Sequence, residues 1–180
     1  MTKIYSTVVV IIPPKEIWGA IQDIRKKYDR HLHRWMPHIT LLYPFRPQSE
    51  FTKLESLFTA VCKEINTFEI CCNKFKFFHH GKQNYTLYLD PESENLISNL
   101  QQKILEIVPD CNDVSLYKSG FVPHLSVGQI EGKDKLKSVL KKKIQNNWNP
   151  LKFKLTSIYF IAREKEKLSE FKIKKEISLK

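Results

Sequence analysis

One four-residue pattern, proline, histidine, aliphatic, hydroxyl, occurs twice, as Pro37-His38-Ile39-Thr40 and as Pro123-His124-Leu125-Ser126. Each copy opens a short apolar run, HITLLYPF from His38 to Phe45 and VPHLSVGQI from Val122 to Ile130, that reads as a strand. Each run is followed by residues with helical spacing: Leu54, Leu57, Phe58, Val61 and Ile65 after the first, and a lysine-rich helix from Asp134 to Trp148 after the second. Strand with a Pro-His dipeptide, amphipathic helix, strand: the order is repeated in the two halves, so the fold must accommodate two similar lobes related by approximate two-fold symmetry.

The remaining segments fit that scheme. Tyr5 to Ile12 is rich in β-branched residues and stops at Pro13-Pro14, and Glu16 to Tyr28 carries Ile17, Ala20, Ile21 and Ile24 at helical spacing. Ser49 is the expected N-cap of the helix after the first motif. Phe68 to Phe78 and Tyr85 to Asp90 read as an antiparallel pair joined through His79, His80, Gly81 and Lys82, and Glu92 to Val108 is a helix that ends before Pro109. Leu151 to Arg163 and Phe171 to Leu179 are two closing strands. No Gly/Ser-rich linker separates the halves, so residues 1–180 read as one α+β domain of two intimately packed lobes.

Composition narrows the partners. Thirty Lys and Arg against 19 Asp and Glu give a formal charge of +11, which concentrates polyanions near the surface and makes nucleic acid the first partner to consider. The lysines at 133, 135, 137, 141, 142 and 143 read as a solvated helix face, with a surface that tracks RNA as the alternative. Cys62, Cys71, Cys72 and Cys111 contain no CxxC pair and read as reduced thiols. The Val8 to Ile12 run is too short for a secretory core, and nothing approaches a membrane span, so the expected location is the cytosol or nucleus and the expected state a monomer.

The paired motifs carry the chemistry. On a strand, residues two apart share a face, so His38 and Thr40 look out on one side while Ile39 and Leu41 pack inward, and His124 and Ser126 do the same beside Leu125 and Val127. Each strand thus offers one proton carrier and one hydroxyl donor. Imidazole, with an unperturbed pKa of about 6.5, suits both general-base and general-acid roles near neutral pH. Hydroxyls preorganised at phosphoryl oxygens add electrostatic stabilisation. His31 with His33, and His79 with His80, have no Cys or carboxylate cluster to complete a coordination set, so no metal and no other cofactor is expected.

At the WMPHITLLYPF and FVPHLSVGQ segments the chain resembles the 2H phosphoesterase superfamily, which includes the 2'-5' RNA ligase or RNA cyclic phosphodiesterase family, and the resemblance runs from the opening VVVIIPP to the closing FKIKKEISL. It implies a bilobal α+β fold with helices outside and two antiparallel sheets forming a V-shaped groove, one histidine motif on each wall. It also implies a metal-independent phosphodiesterase acting on RNA ends that carry a 2',3'-cyclic phosphate or on 2'-5' linkages. In that reading His38, Thr40, His124 and Ser126 are catalytic, with His38 protonating the leaving O3' and His124 activating water. Many bacterial members have a phosphate-binding arginine five residues after the second histidine. Here that position is Gln129, and its counterpart after His38 is Tyr43.

Cations and aromatics beside the motifs are the further substrate-binding candidates: Arg34, Trp35 and Arg46 around the first, Tyr117, Lys118 and Phe121 before the second. Two other classes of function fit the same residues. One is a catalytically silent module that binds nucleotides or RNA ends in the same groove. The other is a scaffolding domain of an RNA-processing assembly, against which the four filled motif positions count.

Overall fold

β-Branched residues crowd the first extended segment, TVVVI, and all five of its residues are buried, so it needs a hydrogen-bonded neighbour on each edge and cover on each face. The computed structural model describes residues 2–116, 119–164, 166 and 169–180, with the side chains of 134–136 and 139 outside that description. In chain order it contains β1 (Thr7–Ile11), α1 (Trp18–Tyr28), β2 (Ile39–Leu42), α2 (Phe51–Cys62), β3 (Phe68–His79), β4 (Asn84–Pro91), α3 (Glu94–Leu105), β5 (Leu125–Glu131), α4 (Asp134–Asn146), β6 (Leu151–Leu155), β7 (Ser157–Ala162) and β8 (Lys172–Ser178).

The strands form one antiparallel sheet in the order β6-β3-β4-β5-β2-β1-β7-β8, where two separate sheets were expected. Its halves, β6-β3-β4-β5 and β2-β1-β7-β8, meet where β2 pairs with β5 at Ile39 and Leu125. Hydrophobic alternation reports each strand's buried face and is silent about its edges, so the sequence pattern could not show that the inner edges join. A second correction concerns Leu151 to Arg163. The segment breaks at Thr156 into β6, which pairs with β3, and β7, which pairs with β1. One connecting residue reaches only about 3.5 Å. Two strands six places apart in the order can follow each other so closely only if the sheet curls until its edges approach. The backbone records that closure: Leu179 N–H donates to Thr156 and Thr67 N–H donates to Lys180.

The two-fold relation predicted from the motifs extends to the helices. α1, which links β1 to β2, packs over β5 of the other half, and α3, which links β4 to β5, packs over β2. α2 lies on β8 and α4 on β3. Ile21, Phe58, Leu100 and Ile104 from the helices share the main core with Ile39, Leu41, Leu125 and Val127 from the inner strands. Among the described residues no helix packs on the opposite face of β2 and β5. α2 is entered through a 3-10 turn over Gln48–Glu50 without a side-chain cap, so Ser49 does not play the capping role expected of it.

Gly128 marks the tightest helix-to-sheet approach. A Cβ there would lie 2.5 Å from Tyr28 Cβ and 3.0 Å from its carbonyl oxygen, so α1 rests directly on the β5 backbone. Gly128→Ala should therefore push α1 off β5 and destabilise the protein by about 1–3 kcal/mol, the usual range for overpacking. Urea unfolding followed by circular dichroism measures it, and an unchanged midpoint would show that the contact yields freely.

Candidate active site

The approach to the first histidine is held by a buried ion pair. Arg25, on the last turn of α1, donates from Nε to Asp29 Oδ2 at 2.7 Å, from Nη1 to Gln22 Oε1 at 3.0 Å and from Nη2 to the Trp35 carbonyl at 2.8 Å. Asp29 accepts the His31 N–H on its other oxygen at 2.9 Å. Both partners are almost fully buried, at 2% and 3% side-chain exposure, so the pair fixes the path of the chain from α1 to Trp35, three residues before His38.

At the end of that path His38 Nδ1 lies 2.7 Å from the Met36 carbonyl, and His124 Nδ1 lies 2.8 Å from the Val122 carbonyl. A carbonyl can only accept, so Nδ1 carries the hydrogen in both rings and Nε2 is the free nitrogen. The pairing of Ile39 with Leu125 then sets the relation between the motifs. One residue out on either side of that antiparallel pair, His38 comes opposite Ser126 and Thr40 opposite His124, all on the face that no helix covers. Each histidine thus stands across from the hydroxyl residue of the other strand.

Strict alternation would turn Tyr43 and Gln129, five residues after each histidine, to the opposite face. Matched bulges prevent this. β1 pairs Val10 with Thr40 and Val9 with Leu42, skipping Leu41; β4 pairs Tyr88 with Ser126 and Leu87 with Gly128, skipping Val127. The extra residue in each strand shifts the phase by one and brings both side chains round to the histidine face. There the Tyr43 hydroxyl donates to the Tyr5 carbonyl at 3.2 Å, and Gln129 Oε1 accepts the Arg30 N–H at 3.1 Å.

Aromatic rings frame both imidazoles. Trp35 stacks on His38 with centroids 4.8 Å apart and on Phe171 at 3.8 Å, so its ring is engaged within the fold. Phe78 and Tyr88 meet His124 edge to face at 4.8 and 5.5 Å. Burial among these groups pushes the His38 pKa down to about 4, with Arg25 and His124 adding to the shift and the Met36 carbonyl opposing it. Burial also lowers His124, helped by His80 and opposed by the Val122 carbonyl.

Of the other expected residues, Arg34 lies beside this face: its carbonyl accepts the Phe171 N–H, and its charge, with that of Arg163, opposes the rise that burial causes in the Tyr43 pKa. Arg46 is not brought to the site. It is buried and paired with Asp110, donating from Nη1 at 2.9 Å and also from Nη2. Phe121 packs against the main core. Tyr117 and Lys118 lie outside the described residues. Sequence reasoning did not single out Arg25, Asp29, Phe78, Tyr88 or Phe171 for this site. The Arg25 and Asp29 spacing of four at a helix end was the one available signal. Among the described residues no three His, Cys, Asp or Glu side chains converge as a metal site would require, and no helix is long and apolar enough to cross a membrane.

A curled antiparallel sheet with paired histidine motifs at its centre defines a class of phosphoesterase folds, and comparison places the chain within it. Residues 13–167 match the model of the 2'-5' RNA ligase superfamily, and the chain belongs to that family. A Geobacillus kaustophilus protein named "Putative phosphoesterase" is 30% identical over 124 residues, 67% of each chain. A Bacillus cereus protein of the same description is 32% identical over 127 residues, again 67% of each. Among solved structures, E. coli LigT complexed with 3'-AMP superposes with a TM-score of 0.63 at 14% identity, covering 97% of this chain and 98% of that one, which shows a common fold.

The Arg25 and Asp29 pair gives a direct test of how the first motif is held. Arg25→Met should cost about 3–5 kcal/mol, because it leaves the Asp29 carboxylate buried and unpaired. Adding Asp29→Asn should recover part of that loss, a coupling that a double-mutant cycle in urea reads. A cost below about 1 kcal/mol for the single change would show that the pair does not organise this segment.

Proposed function

We propose that this protein is a metal-independent phosphodiesterase acting on RNA ends with a 2',3'-cyclic phosphate or on 2'-5' linkages, with His38, Thr40, His124 and Ser126 as its catalytic groups. One observation carries the reading: both imidazoles have Nδ1 tied to a backbone carbonyl two residues back, which leaves two Nε2 atoms for proton transfer on one open face. Family membership and relatives named as phosphoesterases support the reaction class. The LigT structure with 3'-AMP supports a nucleotide ligand.

In the proposed step, the Nε2 of one neutral ring takes a proton from water as its oxygen forms a bond to phosphorus. The bond from phosphorus to the departing ribose oxygen breaks in line, and the protonated second ring gives that oxygen its proton. Thr40 and Ser126 donate to the non-bridging oxygens, where negative charge gathers. In the free protein His38 is hard to protonate, with its pKa pushed down to about 4. For His38 to act as the acid, the anionic phosphate must supply the bias by raising its pKa on binding. Gln129 brings an amide where many relatives have a charge, so positive potential on this face comes from Arg34 and Arg163 beside Tyr43.

Hydrolysis of an oligonucleotide ending in a 2',3'-cyclic phosphate should proceed in EDTA. His38→Ala and His124→Ala should each lower the single-turnover rate by roughly 10²-fold or more. The double variant should be little worse than the poorer single one, because the two act as a unit. Thr40→Ala and Ser126→Ala should cost less. Activity abolished by EDTA and restored by zinc or manganese would overturn the mechanism. Binding of RNA ends with no turnover would assign the silent binding module instead.

The pH dependence follows from the sign of the shifts. Both histidines are lowered, His38 to about 4 and His124 below the ordinary histidine value, so in the free protein both limbs of the bell fall below that ordinary value. The bell of kcat/KM should therefore lie on the acid side of neutrality, with each limb belonging to the pair. The bell of kcat, which reports the complex, should sit at higher pH because the bound anion raises both rings. An alkaline limb of kcat/KM above about pH 8 would contradict this assignment of charge.

A further inference from the structure

The two halves of the sheet match residue by residue near the motifs, yet they differ in what covers them. β1 pairs Val8 with Ile161 of β7, while the equivalent pair in the other half is Thr86 of β4 with Phe78 of β3. Val8 and Ile161 are completely buried in an apolar cluster with Val10 and Phe171, against which Trp35 and Tyr43 pack. Over the second half no such cap forms among the described residues. Thr86 pairs directly with Gln129, and His80, just past the end of β3, lies with Nε2 2.9 Å from the Thr86 hydroxyl.

These side chains line a cavity of about 130 Å³, with Arg30 from the loop after α1 on one side and Glu131 at the end of β5. The cavity continues the histidine face. Phe78, paired with Thr86, touches His124 edge to face, and the charge of His80 contributes to the lowering of the His124 pKa. From Ser126 to Gln129 along β5 is roughly 7–10 Å, a distance that one extended nucleotide step covers.

We propose that this cavity is a subsite for the ribose–phosphate unit of the nucleotide adjoining the reacting one, so that the protein selects oligonucleotide ends over mononucleotides. The inference rests on the phosphodiesterase reading above and adds residues to it. Arg30, exposed and charged, meets the phosphate; Gln129, Thr86 and Glu131 offer the mixed donors and acceptor that ribose hydroxyls require. His80, in contact with the Thr86 hydroxyl and near enough for its charge to reach His124, serves as a specificity-determining residue. The other half carries the apolar cluster of Val8, Ile161 and Phe171 with Trp35 at the equivalent place, which offers a ribose–phosphate unit no polar partner among the described residues.

Isothermal titration of the full chain tests this with two product-type ligands, uridine 2'-monophosphate and the dinucleotide UpU bearing a 2'-phosphate. The wild type should bind the dinucleotide at least about tenfold more tightly, the worth of one charge-assisted hydrogen bond. That ratio should fall toward one in Arg30→Gln and in His80→Ala, two exposed positions whose variants circular dichroism should show folded. A ratio near one in the wild type, or a preference that survives both substitutions, would overturn the subsite. Turnover of uridine 2',3'-cyclic phosphate without dinucleotide preference would remove the subsite and leave the enzyme. A preference lost in the variants without any turnover would keep the subsite and remove the hydrolytic reading. Failure of both ligands to bind would sink both.

Discussion

The short antiparallel contact between β2 and β5 governs the rest of this structure. It joins two four-stranded halves through Ile39 and Leu125, the residue after each histidine. Because those aliphatic residues belong to the buried core, the register cannot slip by one place without turning both histidines inward. The same registration sets each histidine across from the hydroxyl residue of the opposite strand. The structural core and the candidate site are therefore two faces of one pairing, and the crossing of α1 over β5 and α3 over β2 locks it from the helical side.

Symmetry sets the shared features and its breaking sets the differences. Both halves supply a carbonyl for Nδ1, a bulge at the third residue beyond the histidine, and an aromatic neighbour for the ring. Only the first half has the buried Arg25 and Asp29 behind it, and the nearby guanidinium adds to the burial that keeps His38 neutral. Only the first half is sealed by Trp35 and Phe171 over Val8 and Ile161. Two chemically similar histidines thereby stand in unlike surroundings, which is what separate acid and base duties need.

Membership of the 2'-5' RNA ligase superfamily accounts for the shared frame, and Gln129 stands five residues after the second histidine, where the resemblance would place an arginine. Its amide oxygen ties β5 to the Arg30 backbone, so the residue fastens the loop after α1 to the sheet as well as lining the open face. An arginine has no acceptor and could not make that contact.

The sequence by itself determined the strands, the helices, their approximate two-fold relation and the four motif residues, because hydrophobic period and the Pro-His repeat are local properties. It also indicated that His38 shares a face with Thr40 and His124 with Ser126, since alternation along a strand needs no partner. Only the tertiary structure decided that the halves form one curled sheet, that Thr156 divides one apparent strand into two, and that Arg46 serves Asp110 and not the site. Edge pairing, bulges and buried ion pairs are made between residues distant in sequence, and each depends on which backbone or side chain arrives opposite. Tyr43 and Gln129 show the boundary well: their spacing from the histidines is written in the chain, but the bulges that turn them to the same face appear only when β1 and β4 take up their registers.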